Sequence, residues 1–189
     1  MYPEYVKVGD KKYKINTSYK IALECNEIAQ RDDLNDIQRG LAVIYKLFGS
    51  EAMYDRENRE MLLEKAIKYL TRGNGIKDEV VDTDFVKDMP YIKASFMSDY
   101  HMDLNERDMH FYEFCDLLDG LSNSELGNCC VFNRIRNLRN LDLSEIKDAK
   151  TRAKLKKAKE QVAIKKKKSM NEKQKQSANE FYKEFYRKE

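Results

Sequence analysis

Apolar and polar residues alternate in two short stretches near the start of the chain and recur every three or four positions almost everywhere else. The alternation in YVKVGDKKYKI (5–15), on both sides of Gly-Asp-Lys-Lys, predicts a β-hairpin with a four-residue loop. A lone hairpin is only marginally stable in water, so we expect it to lie on the helices that follow. The pattern therefore predicts a mainly α fold with an N-terminal β-hairpin.

Capping residues and glycines divide the helical part into segments. We expect Thr17 or Ser18 to begin the first helix and Asp32 or Asp33 to begin the second, which Gly49 ends. The remaining predicted helices cover 56–72, a single turn over 84–88, a helix from Pro90 to Tyr100, a helix over 106–119 with Asn105 as its cap, one from Ser124 through Leu138, and one from Ser144 onward.

The last part of the chain is predicted to be a long basic helix. Residues 145–175 carry thirteen Lys or Arg and four Asp or Glu, which is +9. Because residues 176–189 are balanced and the whole chain is +3, residues 1–144 carry −6. We therefore divide the chain into a helical body, 1–143, and a basic helical tail, 144–189. A thin stripe on this tail is predicted from Ile146, Ala149, Ala153, Ala158 and Val162, with Leu155 and Ile164 standing off it.

The final turns of the tail have a different character. The terminal aromatics are Phe181, Tyr182, Phe185 and Tyr186, which follow Ala178 at i+3, i+4, i+7 and i+8. Burying such a face contributes several kcal/mol before entropy, at roughly 25 cal/mol per Å². We expect this segment to dock in a groove and to contact a partner there. The groove of its own body, of another copy or of another protein all stay open.

The lysine run (Lys165, Lys166, Lys167 and Lys168) gives an alternative function. A basic helix binds nucleic acid through phosphates, and it also binds acidic partners or serves as a solvated spacer. No aromatic residue lies between Phe132 and Phe181, so base stacking has no platform in this region. Nucleic acid is therefore the less favoured partner.

Composition and motifs indicate a protein without catalytic chemistry. Two histidines are few for acid–base catalysis, and neither a phosphate-binding loop nor a nucleophile elbow occurs. The four cysteines, Cys25, Cys115, Cys129 and Cys130, lack metal or secreted-disulfide spacing. Adjacent Cys129 and Cys130 are expected to be one boundary and one core residue. No signal peptide and no membrane span is seen, so we expect a cytoplasmic protein with no cofactor.

The stretch MDLNERDMHFYEFCDLLDGL (102–121) raises the question of a metal site. His101, Asp103 and His110 could bind a metal only if the loop folds back, whereas zinc sites on helices usually show closer pairs. We interpret His110 as a boundary residue with a satisfied hydrogen bond and expect no metal. The predicted core in this stretch consists of Leu104, Phe111, Phe114 and Leu118, with Phe96 and Tyr100 packing across from them.

Residues 91–121, YIKASFMSDYHMDLNERDMHFYEFCDLLDGL, resemble the hallmark of a tailed-phage family named for gene product fifteen. The stretches NRIRNLRN (133–140) and YKINTSYKIALECNEI (13–28) are similar to that family as well. Phe111 stands where many members have Trp. The matching residues are Ala94, Ser95, Phe96, Tyr100, Asp103, Leu104, His110, Phe111, Phe114, Leu117, Gly120 and Leu121.

The resemblance implies a helical protein encoded in the tail-gene cluster of a siphovirus or prophage, near the tape-measure gene. Tail assembly chaperones are commonly encoded there, and they coat the apolar tape-measure protein until tail-tube subunits replace them. It therefore implies a non-enzymatic chaperone that binds apolar helices of the tape-measure protein or another tail protein. Self-association along a long client would suit this function, so a homo-oligomer stays open.

Overall fold

The computed structural model of the protein describes residues 2–74, 82–123 and 129–164. They divide into two compact units, the first with residues 2–74 and 109–112 and the second with the rest. The predicted mainly α fold with an N-terminal hairpin is confirmed. No helix in these ranges is long and apolar enough to cross a bilayer. The elements are β1 (Tyr5–Val8), β2 (Lys11–Lys14), α1 (Tyr19–Ala29), α2 (Asp36–Tyr54), α3 (Arg59–Leu70), α4 (Phe85–Tyr100), α5 (Phe111–Asp119), α6 (Val131–Asn140) and α7 (Ala149–Val162).

The hairpin is tighter than its sequence predicts. β1 and β2 pair antiparallel with Val8 opposite Lys11, so the loop holds only Gly9 and Asp10. The predicted four-residue loop is wrong because Gly9 adopts φ 57, which allows a two-residue turn and leaves Lys11 in the ladder. Val8 and Tyr13 are buried, since β1 packs on α3 and β2 on α2. The hairpin therefore lies on helices, as expected.

A hydrogen-bonded carboxylate ties this hairpin to the end of α2. The Asp55 carboxylate accepts hydrogen bonds from the Lys11 ammonium (2.6 Å), the Tyr13 hydroxyl, and the backbone and side-chain amides of Asn58 (3.2 and 3.0 Å). These donors, the Lys11 ammonium first, hold the pKa of Asp55 well below its usual range. Burial and the bond to Asp55 raise the pKa of Tyr13 to about 12.

Acid should weaken the first unit through Asp55. A lowered folded-state pKa contributes stability that is present above the ordinary carboxyl pKa of about 3.9 and is lost as the pH falls below it. We expect Asp55→Asn to lower the urea midpoint by a constant amount between pH 5 and 8, and the difference from wild type to shrink below pH 4. Asp32→Asn, at an exposed position, is the matched control. A difference that stays constant down to pH 2 would contradict this role for Asp55.

The first and second helices begin at different kinds of cap. Ser18 accepts a hydrogen bond from the Lys20 amide (3.2 Å) and begins α1, as predicted. The predicted start of α2 at Asp32 or Asp33 is wrong. Asn35 begins this helix in a capping box. Its side-chain oxygen accepts a hydrogen bond from the Gln38 backbone amide (2.9 Å), and the Gln38 side-chain oxygen accepts one from the Asn35 backbone amide (3.0 Å). This box satisfies two amides that would otherwise lack partners.

Gly49 interrupts α2 without ending it. Its φ of 85 is left-handed, and the helix resumes beyond it as far as Tyr54. A glycine accepts this conformation at no steric cost, so a kink replaces the predicted stop. The core of the first unit lies along these helices and includes Cys25, Val43, Ile44, Leu47, Ala52, Leu62 and Ala66.

Pro90 lies inside α4 and does not begin it, so the predicted break between a short turn and a new helix is wrong. Asp84 caps α4 by accepting hydrogen bonds from the amides of Val86 and Lys87 (3.1 and 3.2 Å). The Asp88 carboxylate in turn accepts from the Asp84 amide (2.8 Å). This reciprocal start fixes the first turn strongly enough to tolerate a proline in the second.

α5 also starts later than predicted, at Phe111 and not just after Asn105. The Asp103 carboxylate accepts hydrogen bonds from the backbone and side-chain amides of Asn105 (2.8 Å each), which closes a turn there. The Met109 carbonyl then accepts from the first residue of α1 (3.0 Å), and the Phe111 amide donates to the carbonyl of Thr17 (2.7 Å). The backbone ahead of α5 is therefore occupied in pairing and is not free to be helical.

The predicted core of this region is confirmed. Phe96 stacks on Phe114 with ring centroids 5.5 Å apart, and the Tyr100 hydroxyl donates to the carbonyl of Leu117 (2.8 Å). Phe111 contributes to the first unit and the other three predicted core residues to the second. The exposed fractions are 1% for Leu104, 7% for Phe111, 0% for Phe114 and 9% for Leu118.

Gly120, which follows α5 as predicted, makes room for the Tyr100 hydroxyl. A Cβ on Gly120 would lie 2.8 Å from that oxygen and 3.3 Å from the carbonyl of Asp116. We expect Gly120→Ala to lower the free energy of unfolding by about 1–3 kcal/mol, as overpacking does. In a Tyr100→Phe background, which lacks the hydroxyl, the same substitution should lower the free energy of unfolding, measured with urea, by clearly less. An equal cost in both backgrounds would show that this close approach does not decide the choice of glycine.

α6 begins at Val131, so a continuous helix from Ser124 is wrong, whereas the predicted helix through Val131, Ile135 and Leu138 is confirmed. Ser124 itself lies outside the described residues, but residues 129 and 130 are not helical. The buried Cys130 thiol instead caps α6, accepting a hydrogen bond from the Asn133 amide (3.5 Å). Cys129 is half-buried, so the pair divides into one boundary and one core residue, as predicted.

The tail is not one continuous helix from Ser144. α7 starts after Asp148, whose carboxylate accepts from the Thr151 amide (2.6 Å), and the chain leaves the helix at Ala163. α7 packs on α6. The predicted stripe is partly wrong, because the half-buried residues of α7 form a different row, at i, i+3, i+4 and i+7, namely Leu155, Ala158, Lys159 and Val162. Ala149 and Ala153 are exposed. The part of the predicted helix beyond residue 164 lies outside the described residues.

Candidate functional site

His110 is held by hydrogen bonds on both ring nitrogens. Its Nδ1 accepts from the Tyr112 amide (3.0 Å), so its Nε2 carries the proton and donates to the carbonyl of Pro3 (3.1 Å). The Tyr2 ring stacks on the imidazole with centroids 4.8 Å apart. His110 is therefore a boundary residue with satisfied hydrogen bonds, as interpreted from the sequence.

The other metal-ligand candidates have local structural roles. His101 ends α4 in a left-handed conformation with φ 52, and the Asp103 carboxylate is occupied by Asn105. Within residues 2–74, 82–123 and 129–164, no group of three or more His, Cys, Asp or Glu side chains is placed to hold a metal ion. This finding applies only to those residues.

Two of the thiols are held in their neutral form. Burial, reinforced by the Glu24 carboxylate, raises the pKa of the fully buried Cys25 thiol to about 12. Burial, with the neighbouring Cys130, also raises the pKa of Cys129. A thiol is nucleophilic as its thiolate, so neither residue is an activated nucleophile at neutral pH.

Both sets of predicted binding residues lie outside the described residues. These are the terminal aromatics, Phe181, Tyr182, Phe185 and Tyr186, and the lysine run, Lys165, Lys166, Lys167 and Lys168. The structure does describe the chain that precedes them, as far as residue 164, just beyond the end of α7. The best candidate for a functional site in the described chain is therefore the group of charged side chains around that end.

A buried ion pair stands at the centre of this group. Asp88, fully buried on α4, and Arg139, on α6, form a two-pronged pair with both nitrogen–oxygen distances at 2.6 Å. The same guanidinium donates from Nη1 to the carbonyl of Asp82 (2.8 Å) and from Nε to the carbonyl of Val162 in α7 (2.7 Å). One arginine thus joins α4, α6, α7 and the segment before α4 through charge-assisted hydrogen bonds.

A lysine and a second ion pair complete the arrangement. Lys87 donates from Nζ to the carbonyl of Ala163 (2.7 Å), just past the end of α7. Arg136 pairs with Asp82 through Nε and Nη2 (3.0 and 2.8 Å). Burial opposes ionisation of the Asp82 carboxyl, but the hydrogen bonds from Arg136 and Thr83 outweigh it and lower its pKa. We refer to Lys87, Asp88 and Arg139 as the α7 clamp.

The α7 clamp holds the C-terminal end of α7. The last carbonyls of a helix lack partners within the helix and carry partial negative charge, so cations beside them are stabilising. The clamp places Lys87 and Arg139 at the last carbonyls of α7. The lysine run begins only two residues beyond Ala163. The arrangement can hold the end of α7, and each of its ionised groups already has a hydrogen-bond partner.

The sequence interpretation missed this clamp. It treated NRIRNLRN only as a mark of resemblance. A signal was present, because Arg139 lies seven residues after Phe132, on the buried side of α6. A buried arginine is costly unless a carboxylate pairs with it. The sequence alone does not show which acidic residue is that partner, so it could not identify Asp88.

Comparison with known proteins gives one family. A family model described as bacteriophage Gp15 protein matches residues 2–164, a range that contains every residue the structure describes. The three stretches that carry the resemblance in the sequence fall within this match, so the resemblance is confirmed. A search of curated proteins and a search of solved structures found no match to this chain.

Proposed function

Because the chain belongs to the bacteriophage Gp15 family, we propose that it is a non-enzymatic tail assembly chaperone. Its client in this proposal is the tape-measure protein or another tail protein, and the complex forms in the cytoplasm of the bacterial host. The chain binds apolar helices of the client and releases them when the tail-tube subunits assemble. Self-association along a long client is part of the same proposal.

The observation that carries the proposal is the spacing of the terminal aromatics. Four aromatic residues that share one helical face within the nine-residue segment 178–186 are costly to keep in water, and such a row fits a groove between helices. In the sequence this segment follows the lysine run, which begins just beyond the two carbonyls that the α7 clamp binds. Binding of this kind needs apolar surface and no reactive group.

Co-expression with a fragment of the neighbouring tape-measure protein tests the proposal. We expect a soluble complex that persists through gel filtration in 1 M NaCl, since contacts between apolar faces are not weakened by salt. The matched control is a tape-measure fragment of equal length whose apolar helix positions are replaced by serine and glutamine. Recovery of the control fragment as efficiently as the native one would contradict the proposal.

A second candidate function is nucleic-acid binding through the lysine run. It is favoured by the exposed face of α7, where Lys150, Lys154 and Lys157 fall at i, i+4 and i+7 and lead towards that run. A binder of this kind shifts labelled DNA or RNA in a gel, and the shift is lost steeply as salt rises. Replacing Lys165–Lys168 by glutamine should then abolish it. Absence of a shift at 50 mM salt excludes this candidate.

A further inference from the structure

The β-hairpin of the first unit has two faces of opposite character. One face packs on α2 and α3 and includes the buried Val8 and Tyr13. The other face is formed by the residues that alternate with these along the two strands, and every one of them is exposed. We refer to this set as the outer face, which consists of Tyr5, Lys7, Lys12 and Lys14.

The outer face concentrates positive charge that the ladder does not neutralise. The ladder residues, 5–8 and 11–14, include four lysines and no Asp or Glu. Lys11 lies on the packed side, where its ammonium pairs with the Asp55 carboxylate (2.6 Å). Among the described residues, none of the three outer-face lysines has such a carboxylate partner. Three ammonium groups on one face are therefore available to an anion from outside the chain.

Two of these lysines are held close together by the register. The Ile15 amide donates to the Glu4 carbonyl (2.8 Å), which makes these two residues a hydrogen-bonded pair. Pair types alternate along an antiparallel ladder, so Lys7 and Lys12, which lie opposite each other, form a non-hydrogen-bonded pair, the type with the closer side chains. Like charges in this position destabilise a hairpin. An external anion would relieve that repulsion.

Tyr5 indicates which kind of anion fits the outer face. Its side chain is 46% exposed, and the Lys12 ammonium lies 4.0 Å from the centroid of its ring. A carboxylate of an acidic protein pairs with lysine but gains nothing from an aromatic ring. A nucleotide offers a phosphate for the ammonium and a base whose π-face stacks on the ring. In a single strand the bases are free to stack on a protein side chain in this way.

We infer that the outer face binds single-stranded nucleic acid. The three lysines hold phosphates, and one base stacks on the Tyr5 ring, where it replaces the Lys12 ammonium as that ammonium moves to a phosphate. The ladder is about 10 Å long, which matches about three nucleotides. The inference goes beyond the proposed function, because it concerns another face and another class of partner, and it does not involve the lysine run.

Fluorescence anisotropy of a labelled ten-nucleotide oligothymidylate, titrated with the full chain, tests the inference. Every protein in the series carries glutamine at Lys165–Lys168, so that the lysine run does not contribute. We expect binding at 50 mM NaCl that weakens about twentyfold by 200 mM, because three phosphate contacts to a single strand give a logarithmic salt slope of about −2. Absence of binding at 50 mM NaCl would overturn the inference.

A pair of lysine variants locates the site. We expect Lys7→Gln with Lys14→Gln to weaken binding at least about tenfold at 50 mM NaCl and to make the salt dependence shallower. The matched control is Lys20→Gln with Lys68→Gln, which removes two exposed lysines elsewhere in the same unit and should change binding by less than threefold. The urea midpoint of the hairpin variant should be no lower than that of wild type, since it removes one member of the like-charge pair. Equal losses of binding in the two variants would mean that the outer face is not the site.

Tyr5 variants separate nucleic acid from other polyanions. We expect Tyr5→Leu to weaken binding at least about fivefold, the low end for a stacked base, and Tyr5→Phe to retain it. Tyr54→Leu, at a tyrosine that is 74% exposed, is the matched control and should leave binding unchanged. Equal binding by Tyr5→Leu and Tyr5→Phe would overturn the inference. So would displacement of the probe by decaglutamate as effectively as by unlabelled oligothymidylate, which would indicate an acidic protein as the partner.

Discussion

Replacing Arg139 by methionine is expected to lower the free energy of unfolding by about 3–5 kcal/mol, the largest stability effect that we predict for a single substitution. Asp88 is fully buried, and within the described residues Arg139 is its ion-pair partner. Removing one member of a buried pair leaves an uncompensated charge in the protein interior. Urea unfolding of the full chain, followed by circular dichroism, measures the loss.

A double variant separates the pair from the general cost of mutating this helix. Asp88→Asn with Arg139→Met removes both charges, and the side-chain oxygen of the introduced asparagine can still accept from the amide of Asp84. We expect the double variant to lose clearly less than the sum of the two single losses. Arg134→Met, on the exposed side of the same helix, should change stability by no more than about 0.5 kcal/mol. Additive losses at Asp88 and Arg139 would show that the two side chains act independently.

Replacing Phe181 and Phe185 together by serine is expected to weaken binding of the tape-measure fragment at least about a hundredfold. Truncating a buried aromatic anchor in an interface commonly weakens the binding free energy by about 2 kcal/mol or more. Every 1.4 kcal/mol corresponds to about a tenfold change in affinity. The expectation rests on the four-residue spacing of the two rings, which places them on one helical face. Fluorescence titration of the labelled fragment gives the dissociation constants.

The chain contains its own matched control for this substitution. Lys183 and Arg187 have the same four-residue spacing, and at helical periodicity their positions fall on the opposite side from the aromatic ones. Their joint replacement by serine changes helix propensity similarly but should alter binding by less than about threefold. Equal losses for the two double variants would mean that the tail acts through its charge or its helicity and not through its aromatic face.

Periodicity predicted the parts of the fold that apolar burial decides. Phe114 and Leu118 are four residues apart, and their burial follows from the stripe on α5 whichever residue begins that helix. Leu104 is buried even though it lies in a loop. Ser18 was also predictable as a cap, because a hydroxyl directly before an apolar-periodic segment has a local partner in the helix amides.

Helix boundaries depended on contacts that a local pattern does not contain. Asn105 has the right side chain for a cap, but Asp103 occupies it in a turn. The backbone at Met109 pairs with the start of α1, which lies far earlier in the sequence. Pro90 is a good first-turn residue, yet Asp84 and Asp88 start the helix before it. In each case a specific hydrogen bond outweighed a general propensity.

The candidate site was hidden for a related reason. Asp88 and Arg139 are separated by 51 positions, and their pairing is determined by the packing of α4 on α6. The arginine's position on the buried side of α6 could be inferred, but its partner could not. The packing of α7 was hidden too, because the sequence pattern favoured a stripe made mainly of alanines, whereas Leu155 lies in the half-buried row of this helix.

Calorimetric titration of the tape-measure fragment into the full chain tests the central claim most directly, namely that this protein recognises apolar helix faces. Burial of apolar surface gives a negative heat-capacity change on binding, and it is insensitive to moderate salt. We predict a clearly negative heat-capacity change between 10 and 35 °C and an affinity that varies less than threefold from 0.1 to 0.5 M NaCl. A heat-capacity change near zero, with an affinity that falls steeply over the same range of salt, would contradict it.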